Sequence, residues 1–168
     1  MAAAAAALAT LVLVAGCAEP SQSTSSEQAT VAVSSTPPPG PQAATLGSTV
    51  DITAASGTAS YTVANLAPVP PDAQIIPAKG TMYSVDVNIV GRSGTTVFNG
   101  FFFAARGRDG TNIAPAVGAV RPGITAGELS ADQSATGHVA FDVPPGASID
   151  EVVLRDPKGK SLAVWVTG

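Results

Sequence analysis

His138 is the only histidine of this 168-residue chain and Cys17 its only cysteine, which limits the chemistry its side chains can do. A zinc or copper site built on histidines lacks ligands, and one cysteine makes neither an internal disulfide nor a thiolate cluster. No metal and no cofactor is therefore expected. A Ser-His-Asp triad would have to use His138. Its sequence neighbour Asp142 stands four strand residues away, about 13 Å at ~3.3 Å per residue, so the two cannot meet within one strand. No nucleophile elbow, S-x-x-K, P-loop or dinucleotide glycine motif occurs. What remains is a pair among Asp109, Asp142 and Glu128 converging in space, the arrangement of a carboxylate hydrolase, which needs a cleft and raised pKa values. With 5% aromatic residues there is little surface on which a sugar would stack. The expected catalytic set is none, with the hydrolase as a lesser alternative.

The elements that must position these residues follow from composition. Eight Lys and Arg against twelve Asp and Glu leave a net charge of -4, which offers no field to hold a nucleic acid. Charged residues make up 12%, about half the usual quarter, and 14 Pro with 17 Gly argue against a helical bundle. The length suits one ordinary core.

Three zones divide the chain. Residues 1–16 read as a lipoprotein signal peptide. Ala2 to Gly16 is apolar or small except for Thr10, shorter than the roughly 20 residues a spanning helix needs and fitting an h-region. It ends in Leu13-Val14-Ala15-Gly16-Cys17, which resembles the bacterial lipobox, so Cys17 is expected to carry the lipid that anchors the mature chain. Two or three acyl chains suffice for stable anchoring at about 0.8 kcal/mol per buried methylene. Signal peptides open on Lys or Arg; none stands here, which places the expected start of translation upstream of Met1. The expected location is the extracytoplasmic face of the cell membrane.

Residues 17–45 read as the lipidated cysteine followed by a tether. From Ala18 to Thr45 the chain holds ten Ser or Thr and five Pro, too little apolar surface to fold. Such a segment spans about 30 Å as a coil and about 85 Å as extended polyproline. The Ser, Thr and Pro mixture also permits an O-glycosylated stalk.

Residues 46–168 read as short strands between turn signals at about ten-residue spacing. In Tyr83–Ile89, alternation places Tyr83, Val85, Val87 and Ile89 on one face. In His138–Val143, residues Val139, Phe141 and Val143 point inward while His138 and Asp142 point outward. Asp156-Pro157-Lys158-Gly159 has the chemistry of a type I turn, which joins Ile149–Arg155 to Ser161–Val166 as a hairpin. Weaker strands are Thr49–Thr53, Ser60–Leu66, Thr96–Arg106 and Ile113–Val117. Eight strands without intervening helices predict an all-β, antiparallel, immunoglobulin-like β-sandwich preceded by a signal peptide and a disordered linker.

Leu46-Gly47-Ser48, Val87-Asn88, the run Phe103-Ala104-Ala105-Arg106-Gly107-Arg108-Asp109-Gly110, Thr136-Gly137 followed by Phe141-Asp142-Val143, and Trp165 stand in an order and spacing that resembles the MPT-sixty-three-like family. These are small secreted immunogenic antigens of mycobacteria, and the likeness covers Leu46–Gly168. It implies an exported, antigenic immunoglobulin-like sandwich without enzymatic activity and supplies no catalytic residues. The lipobox and tether depart from that pattern and imply retention at the cell surface. Tyr61 also departs from it, standing where the family has a larger aromatic.

Two features suit a protein or envelope partner. Phe98, Phe101, Phe102 and Phe103 occupy both faces of one expected strand, of which a sandwich buries one. Either a bulge at Gly100 or a covering loop such as Pro115–Gly123 makes all four core, or Phe98 and Phe102 belong to an exposed contact patch. Arg106 and Arg108, two apart and about 6.6 Å from each other on one strand face, are either solvated and paired to nearby acids or a second contact. The expected function is a non-catalytic, lipid-anchored surface domain acting in protein or envelope interactions. The other alternative, a carrier of a lipid or hydrophobic ligand, requires a cavity opening between the sheets.

Overall fold

The computed structural model describes residues 40–168. The signal peptide, Cys17 and the tether as far as Pro39 lie outside the described residues. Ten strands follow: β1 (Gln42–Thr45), β2 (Thr49–Ala54), β3 (Gly57–Pro68), β4 (Thr81–Asn99), β5 (Phe103–Arg106), β6 (Asn112–Ile113), β7 (Ala126–Ser130), β8 (Ser134–Val143), β9 (Glu151–Arg155) and β10 (Ser161–Val166). One sheet has the order β1-β10-β9-β5-β6; the other runs β2-β3-β4, with β7 and β8 both along the far side of β4. The all-β, immunoglobulin-like sandwich expected from the sequence is observed.

β4 organises the second sheet. Its alternation sends Val85, Val87 and Ile89 into the core at 0% exposure, while Asp86 and Asn88 face outward. Along one edge it pairs first with β8, from Thr81↔Val143 to Val90↔Ser134, and then with β7, from Thr95↔Ser130 to Asn99↔Ala126. β7 and β8 are thus nearly one strand, interrupted by a turn at residues 131–133 in which Asp132 takes φ 66. Gly91 faces that turn. Its N–H donates to the Gln133 carbonyl and its own carbonyl accepts from Asp132, both at 2.9 Å.

Phe103, Phe141, Val63, Val152 and Trp165 fill the space between the sheets. Trp165 is fully buried, and its Nε1 donates to the Ser48 carbonyl at 2.9 Å. A smaller cluster of Met82, Ala119, Val120 and Ala140 sits apart from that core. Met82 and Ala140 lie on the outer side of β4 and β8, covered by the loop that holds Ala119 and Val120, whose Ala116 N–H reaches the Ala140 carbonyl at 2.7 Å. The Pro115–Gly123 loop therefore mainly covers a patch of β4 and β8 rather than the phenylalanines of the Thr96–Arg106 segment.

The β9–β10 hairpin forms as its turn chemistry predicts. Gly159 donates to the Asp156 carbonyl at 2.9 Å, and Asp156 Oδ1 accepts from the Lys158 and Lys160 amides at 2.8 and 2.9 Å. Two strands depart from expectation. β7 had no predicted counterpart, and β1 occupies residues assigned to the tether, so the domain begins at Gln42 rather than Leu46. β1 pairs parallel to β10, with Ala44 opposite Trp165, and is the one parallel member of an otherwise antiparallel set. Gln-Ala-Ala-Thr has neither alternation nor a β-branched run; the open edge of β10 recruits it.

Candidate functional site

The phenylalanine segment is not a continuous strand. β4 stops at Asn99, whose Oδ1 accepts from the Phe101 amide at 2.9 Å, and Gly100–Phe102 makes a single 3-10 turn. Gly100 is required there because a Cβ would stand 2.5 Å from the Ile124 carbonyl oxygen. The turn resets the alternation. Phe103 is buried, Phe98 and Phe102 are half-buried against the core, and Phe101 is 67% exposed. Phe98 lies across its strand partner Gly127, its Cζ 2.8 Å from where a Cβ on that glycine would be. Of this group it is Phe101 that meets solvent.

The arginines stand at the other end of β5. Arg106 ends the strand and pairs with Glu151, its register partner, with Nη1 to Oε2 at 2.8 Å. Arg108 lies in the following turn, where its Nε is 3.3 Å from Asp150 Oδ2 and its side chain is 89% exposed. The turn, closed by Gly110 N–H to the Gly107 carbonyl, takes Arg108 off the strand, so the two do not share one strand face. An ion pair this exposed contributes about 1 kcal/mol at most.

The carboxylates are held on separate elements by their own loops. Asp109 accepts from the Thr111 hydroxyl at 2.7 Å and the Thr111 amide at 3.0 Å. Asp142, on β8, accepts from the Lys79 and Gly80 amides, both at 2.9 Å. These bonds hold both carboxyls below the usual carboxylate range, the reverse of what a general acid requires. Glu128 is exposed on β7. His138 faces Asp86, its cross-strand partner, with Nδ1 2.8 Å from Oδ1, and Asp86 Oδ2 accepts from Asn65 at 2.7 Å. Among the described residues, no group of three or more His, Cys, Asp or Glu is placed to hold a metal ion.

The bonds to Asp142 give stability a definite pH dependence. Because the folded pKa is depressed, the stabilisation is present above the unfolded value of about 3.9 and is lost as pH falls through the folded one. Asp142→Asn should be less stable near neutrality yet lose less melting temperature than the unsubstituted protein between about pH 5 and pH 2. Thermal melts across that range check it, and identical slopes would remove Asp142 from this role.

A cleft of about 270 Å³ opens between the sheets, walled by Ile52, Tyr61, Phe102, Leu154 and Leu162. Thr96 lines it too, and its register partner Leu129 belongs to the core. Thr96 is 7% exposed, and its Oγ1 has no hydrogen-bond partner among the described residues. Tyr61, at 4% exposure, has its hydroxyl pKa pushed up by burial. A wider, open hollow of about 500 Å³ lies beside Ile75, Val120 and Arg121.

Residues 41–165 match the family described as a domain of unknown function, DUF1942. The chain belongs to this family. In fold it is similar to MPT63, a secreted protein from Mycobacterium tuberculosis, with a TM-score of 0.67 at 22% identity over 75% of this chain and 97% of that one. It is also similar to the yjhA protein from Bacillus subtilis, with a TM-score of 0.50 at 15% identity over 70% of this chain and 85% of that one. No curated protein matches it. The DUF1942 match includes β1, in agreement with a domain that starts before Leu46. Sequence reasoning missed the Asp86–His138 pair, although registering the two clearest strands would have found it. It also missed the cleft, whose walls come from six separated segments with no shared spacing.

Proposed function

We propose that this chain is an exported, lipid-tethered DUF1942 domain that acts by binding a protein or envelope partner and carries out no catalysis. The observation that carries the reading is the lipobox-like Leu13–Cys17 followed, 25 residues after Cys17, by the first strand of an immunoglobulin-like domain at Gln42. The spacing suits a domain held clear of a bilayer. Residues 1–16 act as the leader, 17–41 as the anchor and tether, and 42–168 as the domain. Export is supported by the apolar leader and by the fold-level likeness to MPT63, itself a secreted protein. The absence of catalysis is supported by carboxylates bound to backbone amides on separate elements. The anchor in this reading is the lipid on Cys17, at the end of the lipobox-like run; among the described residues no helix is long and apolar enough to cross a membrane. In this reading the contact residues are exposed Phe101, half-buried Phe98 and Phe102, Arg106 at the end of β5 and Arg108 in the turn that follows.

Metabolic labelling with a fatty-acid analogue tests the tether. The intact chain should take up label and fractionate with membranes, and Cys17→Ala should lose the label and release the domain. Unchanged labelling in Cys17→Ala, or an unsubstituted domain found untethered in the medium, would sink the proposal.

A further inference from the structure

We propose that the cleft between the sheets is a binding site for a small amphiphile, an aliphatic or aromatic body of about ten heavy atoms carrying one hydroxyl or carbonyl oxygen. Its volume, about 270 Å³, equals roughly nine waters at ~30 Å³ each and falls just below the usual range of small-molecule pockets. That is room for a short chain or one ring. A whole membrane lipid does not fit, which separates this site from the envelope-lipid carrier raised by the sequence.

The Thr96 hydroxyl points to an oxygen-bearing ligand rather than an empty packing flaw. Thr96 lines the cleft, more than nine-tenths buried, with an unpartnered Oγ1. Burying an unpaired hydroxyl is costly, and valine has the same shape without it. Tyr61, largely buried, also lines the cleft, and burial pushes its hydroxyl pKa up. Ile52, Phe102, Leu154 and Leu162, drawn from both sheets, supply apolar wall, while Ser56, Arg155 and Asp156 add polar groups to the lining. The site thus presents apolar wall beside one buried hydroxyl without a partner, the pattern by which small ligands are oriented. It is independent of the tether and stands whether or not Cys17 is lipidated.

The experiment titrates 1-octanol and n-nonane, an isosteric pair, into the full chain and follows methyl and amide NMR shifts. Saturable shifts are expected at Ile52, Tyr61, Thr96 and Leu162, with octanol the tighter ligand. Ala54→Trp, at an exposed position on the rim, should weaken both ligands at least tenfold without unfolding the domain. Thr96→Val should weaken octanol about three- to tenfold, leave nonane unchanged and raise the melting temperature of the free protein. Absent or unsaturable shifts, or binding indifferent to Ala54→Trp, would overturn the site. Octanol and nonane binding equally would overturn the hydroxyl's role. A concentration-dependent dimer abolished by Ala54→Trp would assign the cleft to a second copy and also overturn it.

Discussion

Trp165→Ala is expected to lower the free energy of unfolding by about 3–5 kcal/mol, the range for removing a large aromatic from a closed core. Trp165 is 0% exposed and sits in β10 between Ala44 of β1 and Val152 of β9, so its loss empties the middle of the first sheet. The surroundings have little freedom to collapse into the gap. Val152 and Ala163 are fully buried in the same core, and backbone ladders fix the strands on both sides. The indole also donates to the Ser48 carbonyl, which ties the β1–β2 connection to the core. Trp165→Phe separates the two effects, since it keeps most of the volume and loses the bond. Its expected cost is about 1–3 kcal/mol, including an unpaired carbonyl. Denaturant unfolding of the three proteins checks the order. A domain of this kind has about 5–15 kcal/mol in all, so the alanine variant should lie close to the edge of folding. A Trp165→Ala midpoint equal to the original would mean that β10 does not pack as described.

How much of this was legible beforehand depended on whether a local pattern could report the element. β8 and the inward half of β4 declare themselves because one face is buried and the other wet, so the period-two signal survives in Tyr83–Ile89 and Val139–Val143. The β9–β10 turn declares itself because Asp156, Pro157 and Gly159 each have a local reason to be there. β1 had no such signal, since its place is decided by Trp165's strand more than a hundred residues later. Phe101 misled for the opposite reason. Four phenylalanines in six residues look like a strand with a surplus face, yet Asn99 capping the Phe101 amide and Gly100 beneath Ile124 turn the chain before that face is built. The candidate contacts Arg106 and Arg108 have the spacing of one strand face, yet the turn that begins at Gly107 parts them. Thr96 was invisible because an unpaired hydroxyl is a property of its surroundings, assembled from both sheets.

Gly91→Ala is the second substitution expected to act strongly, and the reason is local. Gly91 does not need a left-handed backbone; it needs the absence of a side chain. A Cβ there would stand 2.1 Å from the Ser130 carbonyl oxygen and 2.9 Å from its carbon. Both are backbone atoms, and they belong to the junction where β4 exchanges β8 for β7, so no rotamer change relieves the clash. The 131–133 turn has to lift, breaking the bonds from Gly91 to Gln133 and Asp132. The expected cost is about 3 kcal/mol, at the upper end of overpacking changes. Gly47→Ala, strained at φ 90 with no atom near the new methyl, should cost only about 1–2 kcal/mol. Hydrogen exchange distinguishes the mechanisms. In Gly91→Ala the β7 amides should lose protection while those of β9 and β10 keep theirs, because local opening follows the cooperative unit that is disturbed. Thr96 pairs with Leu129 of β7, so the same lift should widen the cleft and weaken octanol binding by loosening one wall. A Gly91→Ala protein with undisturbed β7 protection would show that β7 and β8 do not share the edge of β4, and with that the polar wall of the cleft would lose its support.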